Sequence, residues 1–213
     1  MELINQVFNF LFEQYSGYKT LDIILESIAV LFGLLSVWYA KKNNILVYPT
    51  GIVSTLIFVY LLLKWGFLGD VLIIAYYVMM SIYGWYIWTR KVDDKHFTPI
   101  TRTSNQEKLI TLGIFIGSFL FVLLVYYYYD KFNSWFAYVD TLTTAIFFAG
   151  MWLMARKKLE NWIFWIIGDI ISVPLYFFKG YTLTSIQYFI FLIIAYYGYI
   201  EWKKSLDKNL QTL

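Results

Sequence analysis

The sequence predicts an all-α integral membrane protein whose seven transmembrane helices form two parallel three-helix repeats joined by a linking helix. Three observations predict this class. The 213 residues are 60% hydrophobic and 23% aromatic, and only 15% are charged, whereas soluble domains carry about 25% charged residues. Apolar runs long enough to cross a bilayer occur seven times. Motifs in the first part of the chain recur in the second part.

Each predicted helix is an apolar run close to the ~20 residues that span a hydrocarbon core of about 30 Å. The seven runs are Leu21–Ala40, Ile45–Leu63, Val71–Trp88, Leu109–Tyr128, Trp135–Met154, Trp162–Phe178 and Leu183–Trp202. They divide the chain into a surface segment (1–20), repeat 1 (21–90), a cytoplasmic linker (91–108), the linking helix with an outer loop (109–133), repeat 2 (134–204) and a cytoplasmic tail (205–213). In residues 1–20, positions such as Val7, Phe8, Leu11 and Phe12 are apolar and positions such as Asn5, Gln6, Glu13 and Gln14 are polar. This pattern favours an amphipathic helix on the membrane surface as much as a loosely ordered tail.

The distribution of basic residues predicts the orientation. One set of loops carries thirteen Lys and Arg residues, and the other carries only Lys19, Lys64, Lys131 and Lys179. Cytoplasmic loops are the basic ones. The N-terminus is therefore expected outside and the C-terminus inside, in the plasma (inner) membrane.

The internal repeat predicts where a solute would bind. The sequence Tyr83-Gly84-Trp85 near the end of the third run matches Tyr197-Gly198-Tyr199 in the seventh, and 44–51 matches 161–168. This alignment has an offset of 117 residues in the second and sixth runs, which pairs Tyr48 with Trp165, and an offset of 114 further on. Chance similarity between aromatic helices is the alternative. Parallel repeats of this kind are the plan of SWEET-type transporters, whose solute site lies between the halves near the midplane.

The sixth run carries the principal candidate site. Trp162, Trp165 and Asp169 follow one another at spacings that put all three on one helix face. Indoles attract a flat cation through their ring faces, and a carboxylate inside a membrane is a functional candidate. The alternatives are an interfacial role for Trp162 and a structural hydrogen bond between helices for Asp169.

Five further residues are weaker candidates for the substrate cavity, each with packing or a structural hydrogen bond as the alternative. Asp140 and Thr144 are polar residues of the fifth run, Gln187 and Tyr188 begin the seventh, and Tyr48 lies in the second.

The sequence offers little for catalysis. It has no cysteine, which excludes disulfides, thiolate metal sites and cysteine nucleophiles. Its one histidine, His96, lies in the polar linker. We therefore expect neither an enzyme nor a cofactor or metal, and no nucleic-acid partner. The alternatives from other classes are a membrane enzyme or sensor with a cytoplasmic site around His96, and a substrate-binding subunit that works with an ATPase.

The residues from Arg156 to Asp169 resemble the WxxWxxxN signature of the PnuC family of nicotinamide riboside transporters. Tyr83-Gly84-Trp85 and Tyr48-Pro49-Thr50-Gly51 are also similar to that family, and the resemblance covers roughly residues 22–204. It implies a SWEET-like 3+1+3 helix arrangement, a homotrimer and substrate binding by Trp162, Trp165 and Asp169. It also implies facilitated diffusion of the vitamin, with a cytoplasmic vitamin kinase trapping the product by phosphorylation.

Two positions depart from the family pattern. Asp169 replaces the asparagine of the motif, and Ile74 stands where riboside transporters tend to carry a glutamine. Thiamine, which other relatives of the family transport, is also a cationic aromatic vitamin and could donate hydrogen bonds to Asp169. We expect nicotinamide riboside as the substrate and thiamine as the alternative.

Overall fold

Seven long helices make up the part of the chain that the computed structural model describes, residues 17–90 and 98–211, with side chains to Lys208. All seven are long and apolar enough to cross a membrane, as predicted. They are α1 (Thr20–Lys41), α2 (Val47–Lys64), α3 (Leu68–Thr89), α4 (Asn105–Tyr128), α5 (Phe136–Ala155), α6 (Asn161–Phe178) and α7 (Thr182–Gln211). We call α1–α3 the first half and α5–α7 the second half.

Helix α5 lies at the centre, and most of its residues are buried. The other helices expose many large apolar side chains, such as Leu31, Leu72 and Leu124, because lipid is as apolar a solvent as the core itself. The two halves meet where α1 contacts α7 and where α3 contacts α5, while α4 packs mainly on α5.

Two of the predicted segments, the linker and the tail, have different bounds in the structure. The linker is shorter than 91–108 because α4 begins at Asn105, where Ser104 and Glu107 form a capping box. The tail is not separate, since α7 continues to Gln211. Residues 1–16 and 91–97 lie outside the described residues. The surface helix predicted for residues 1–20 and the location of His96 in the linker therefore stay predictions.

Contacts between aromatic rings recur 114 residues apart in the two halves. Tyr48 packs edge-on against Trp88, with ring centroids 5.2 Å apart. Trp162 packs edge-on against Trp202 in the same way at 5.5 Å. These contacts contradict the predicted offset of 117 residues in the second and sixth helices, because they pair Tyr48 with Trp162, 114 residues further on, rather than with Trp165. An Asn and a Gly recur 117 residues apart, at Asn44 and Asn161 and at Gly51 and Gly168, but the ring contacts recur 114 residues apart.

Two glycines make these ring contacts possible. A Cβ atom on Gly84 would collide with the Tyr48 ring, and a Cβ atom on Gly198 would lie 2.7 Å from the Trp162 ring. Each ring thus lies directly against helix backbone, which is the close approach that glycine allows in membrane helices.

Substituting Gly198 with alanine is expected to displace Trp162 and to lower the free energy of unfolding by about 1–3 kcal/mol, the cost of overpacking a core. Thermal unfolding of the purified protein in detergent measures the effect. Gly113→Ala is the matched control, because no atom beyond its chain neighbours and the backbone of its own helix lies within 4 Å of the added Cβ. Equal unfolding temperatures for the two variants would contradict the close approach.

Two indole hydrogen bonds connect the halves. Trp88 donates its Nε1 hydrogen to the Met154 carbonyl at 3.1 Å, and Trp202 donates to the Ala40 carbonyl at 3.0 Å. Both indoles are buried. The two bonds are again 114 residues apart and lie at the same end of the bundle, the end that carries Lys41, Arg90 and Arg156, which we call the basic end.

Ion pairs occupy both ends of the bundle. At the end opposite the basic end, Lys64 pairs with Asp22 at 2.5 Å, Lys131 with Asp70 and Lys179 with Asp140 at 2.6 Å. At the basic end, Glu107 binds Lys158 at 2.8 Å and Arg156 at 3.2 Å, and Glu201 binds Lys41 at 3.2 Å.

Candidate substrate cavity

A cavity of about 290 Å³ lies between the two halves, slightly below the usual lower size of small-molecule pockets. Six helices line it, and α4 contributes none of the lining residues. Asp169, the ninth residue of the 18-residue α6, lines the cavity at the middle of the helix. The lining residues are Gly33, Ser36, Val37, Ala40, Val47, Gly51, Ser54, Thr55, Phe58, Ile74, Tyr77, Ser81, Phe147, Met151, Met154, Trp162, Trp165, Asp169, Gln187, Tyr188, Phe191 and Ala195.

The three principal candidates all line this cavity. Trp162 is 1% exposed, Asp169 is 2% exposed, and Trp165 is half-buried. No described residue forms a hydrogen bond or an ion pair with the Asp169 carboxylate. A buried charge without a partner is costly, so this carboxylate is positioned to bind a ligand that supplies positive charge or hydrogen-bond donors.

Stacked aromatic rings form one wall of the cavity. Trp165 stacks on Phe147 with ring centroids 5.4 Å apart and an angle of 27°. Phe147 stacks on Tyr188 at 5.9 Å and 9°. Tyr188 stacks in turn on Tyr176, which is not a lining residue, at 5.0 Å and 23°. Offset-stacked rings at these separations attract one another. The wall is therefore preorganised to receive the face of another flat ring.

Two indole hydrogens near the cavity are unpaired. Within the described part of the chain, the Nε1 atoms of Trp162 and Trp165 are buried and have no hydrogen-bond partner. Leaving a buried donor unsatisfied costs roughly 1–3 kcal/mol. A bound solute with an acceptor atom at this point would recover that free energy.

The weaker candidates divide between the cavity and other places. Gln187 and Tyr188 line the cavity. Asp140 instead forms its ion pair with Lys179, and neither it nor Thr144 is a lining residue. Tyr48 is also absent from the lining, since its ring is buried against Gly84 and Trp88.

Several lining residues were not predicted. Phe147 looks like any other aromatic residue of an apolar helix, and only its packing over Gly168 distinguishes it. Ser36, Ser54 and Ser81 line the first half of the cavity, and their hydroxyls carried no signal in the sequence. Ile74, the position that departs from the riboside pattern, is also a lining residue.

No group of three or more His, Cys, Asp or Glu side chains among the described residues could hold a metal ion. The side chains that line the cavity offer ring stacking, charge attraction and hydrogen bonding.

Residues 23–204 match the protein family described as nicotinamide mononucleotide transporter. The chain is 24% identical over 209 residues to the nicotinamide riboside transporter PnuC of Escherichia coli (strain K12), covering 85% of each protein. It is 26% identical over 131 residues to the riboflavin/roseoflavin transporter RibM of Streptomyces davaonensis, covering 60% of this chain and 61% of that protein. A crystal structure of the vitamin B3 transporter PnuC has the same fold, with a TM-score of 0.66 and 20% identity over 93% of this chain and 89% of that one.

Proposed function

Because the chain belongs to the nicotinamide mononucleotide transporter family, we propose that it carries nicotinamide riboside across the inner membrane by facilitated diffusion. One observation supports this substrate above all. Asp169 is the only charged residue among those that line the cavity in the described part of the chain, and it lies beside Trp165 on the aromatic side. A flat aromatic cation complements both features, since indole faces and a carboxylate each attract it.

The charge of the cavity favours the riboside over its mononucleotide. Within the described residues, no Lys, Arg or His lines the cavity. A phosphate dianion there would lose its hydration without gaining a basic partner, and it would lie near the Asp169 carboxylate. Burying unpaired charge is strongly unfavourable, so the phosphate-free nucleoside is the better fit.

Thiamine remains the alternative vitamin, because it also offers a cationic aromatic ring. It carries a single hydroxyl group, whereas the riboside carries a whole pentose. The hydroxyl-lined part of the cavity, formed by residues such as Ser36, Ser54 and Ser81, therefore favours the riboside.

Uptake into proteoliposomes tests the proposal. Radiolabelled nicotinamide riboside is expected to equilibrate across the membrane without a proton or sodium gradient. Enclosing a riboside kinase with ATP is expected to convert equilibration into accumulation. The mononucleotide and thiamine are expected to enter at least about 10-fold more slowly, which corresponds to a difference of about 1.4 kcal/mol.

Empty liposomes are the control. Faster entry of the mononucleotide than of the riboside would contradict the substrate, and accumulation that requires an ion gradient would contradict facilitated diffusion. Uptake of thiamine alone would replace the riboside by the alternative vitamin.

We further propose that the two halves are repeats that rock against each other around the cavity, with the basic end in the cytoplasm and three chains per assembly. The features that recur 114 residues apart support the repeat, and the excess of Lys and Arg at one end supports the orientation. Labelling of single cysteines introduced at Lys131 and Lys203 by an impermeant reagent, in a chain that has no cysteine of its own, tests the orientation.

A further inference from the structure

The cavity has two unlike walls, although equivalent positions form them. At an offset of 114 residues, Gly33 corresponds to Phe147, and Gly51 corresponds to Trp165. All four residues line the cavity. The second half therefore presents two large rings where the first half presents only hydrogen atoms.

The two large rings of the second half, those of Phe147 and Trp165, pack against glycines of neighbouring helices. The Phe147 ring lies against Gly168, and Trp165 lies beside Gly150. In the first half the corresponding contacts are between small residues. A Cβ atom on Gly33 would be 3.3 Å from the Ser54 hydroxyl, and one on Gly51 would be 3.0 Å from the Ser36 hydroxyl. At these two positions the first half thus presents glycine backbone and neighbouring serine hydroxyls to the cavity, and no large side chain.

Three hydroxyls of this wall already donate their hydrogen to a backbone carbonyl. Ser36 donates to the Val47 carbonyl at 2.7 Å, Ser54 donates to the Ala29 carbonyl at 2.8 Å, and Thr55 donates to the Gly51 carbonyl at 2.9 Å. A hydroxyl has one hydrogen to donate and two lone pairs that accept. What the Ser36, Ser54 and Thr55 hydroxyls retain for a ligand is therefore the capacity to accept hydrogen bonds.

The opposite wall has the complementary capacity. It offers ring faces for stacking, and the Nε1 hydrogens of the buried Trp162 and of Trp165 are without a partner among the described residues. A ligand that satisfies both walls needs a flat ring with an acceptor group on one side and several hydroxyl donors on the other. A ring carrying a carboxamide and a pentose meets both conditions.

We propose that Gly33, Ser36, Gly51, Ser54, Thr55 and Ser81 form a pentose subsite, in which serine and threonine oxygens accept hydrogen bonds from the sugar hydroxyls while the ring stacks on the second half. This inference rests on the proposed function and assigns the orientation of the solute in the cavity. Gly33 and Gly51 determine specificity by leaving room for the sugar. Ser36 and Ser54 determine it by accepting hydrogen bonds from the sugar hydroxyls.

Binding of two ligands that share the cationic ring tests the subsite. Nicotinamide riboside carries the pentose, and 1-methylnicotinamide carries a methyl group in its place. Dissociation constants are measured by calorimetry on the purified full chain. Ser54→Ala is expected to weaken riboside binding about 3- to 10-fold, the range for one hydrogen bond, and to change 1-methylnicotinamide binding less than about 2-fold.

Gly51→Ala provides a second variant. Its Cβ would lie 3.0 Å from the Ser36 hydroxyl and so crowds an acceptor of the subsite without removing it, and the variant is expected to weaken binding of the riboside selectively as well. Ser118→Ala is the matched control. Ser118 is a buried serine of α4 that also donates to a helix carbonyl but does not line the cavity, so both ligands should bind it as they bind the wild type. Unfolding temperatures of all variants show that each is folded.

The outcomes separate this inference from the proposed function. Equal affinity of the wild type for both ligands would leave the transporter proposal standing and overturn the subsite. The subsite would also be overturned if Ser54→Ala and Gly51→Ala weakened the binding of both ligands equally, or if they weakened the binding of neither. A wild type that binds neither ligand would overturn the proposed function, and the subsite with it.

Discussion

Trp165→Ala is expected to weaken the binding of nicotinamide riboside about 100-fold and to reduce uptake accordingly. A desolvated cation–π contact contributes about 2 kcal/mol, and ring stacking adds about 1 kcal/mol. Their sum of about 3 kcal/mol corresponds to two orders of magnitude in the dissociation constant. Calorimetry on the purified protein measures the change.

Trp165 is a better test position than Trp162, because Trp162 also packs against Gly198 and Trp202 and its loss would disturb the fold. Trp165→Phe keeps a ring face and removes the unpaired Nε1 hydrogen, so it is expected to bind with intermediate affinity. Trp135→Ala, at an exposed residue outside the cavity, is the matched control. Unchanged affinity of Trp165→Ala in a folded protein would remove this residue from the site.

Asp169→Asn is expected to abolish the preference of the cavity for positive charge. The oxidised riboside is a cation, and its 1,4-dihydro form is a neutral molecule of nearly the same shape. A carboxylate about 5 Å from a cation, at an effective dielectric constant of about 20, contributes about 3 kcal/mol, part of which is lost to desolvation. The ratio of the two affinities is therefore expected to fall at least about 10-fold in the variant.

The ratio of the two affinities is insensitive to general damage to the cavity, because such damage weakens the binding of both ligands equally. The asparagine also restores the residue type of the WxxWxxxN motif, so the variant should still bind the riboside measurably. Asp207→Asn changes an exposed carboxylate of α7 and should leave the ratio unchanged. The same loss of affinity for both forms would show that Asp169 acts through packing rather than through charge.

The sequence was sufficient for the helices and for one face of the site. Hydropathy predicts each span because lipid demands a continuous apolar run. Helical spacing alone puts Trp162, Trp165 and Asp169 on one side of α6. The early start of α4 was also readable, since Ser104 followed three residues later by Glu107 is a capping-box pattern.

The remaining features depend on contacts between distant parts of the chain. Phe147 belongs to the aromatic wall only because α6 brings Gly168 beneath its ring. The sequence match predicts Tyr48 in the cavity, whereas its ring packs against Gly84 and Trp88. Ser36 and Ser54 look like ordinary membrane serines until their hydrogen bonds to the neighbouring helix show which capacity they leave free.

The paired hydrogen bonds of Trp88 and Trp202 have a consequence for any motion between the halves. Each bond runs from one half to the other, and both lie at the basic end. A separation of the halves at that end as rigid bodies requires both bonds to break. Together the two bonds would add about 1–3 kcal/mol to the free energy of such an opening.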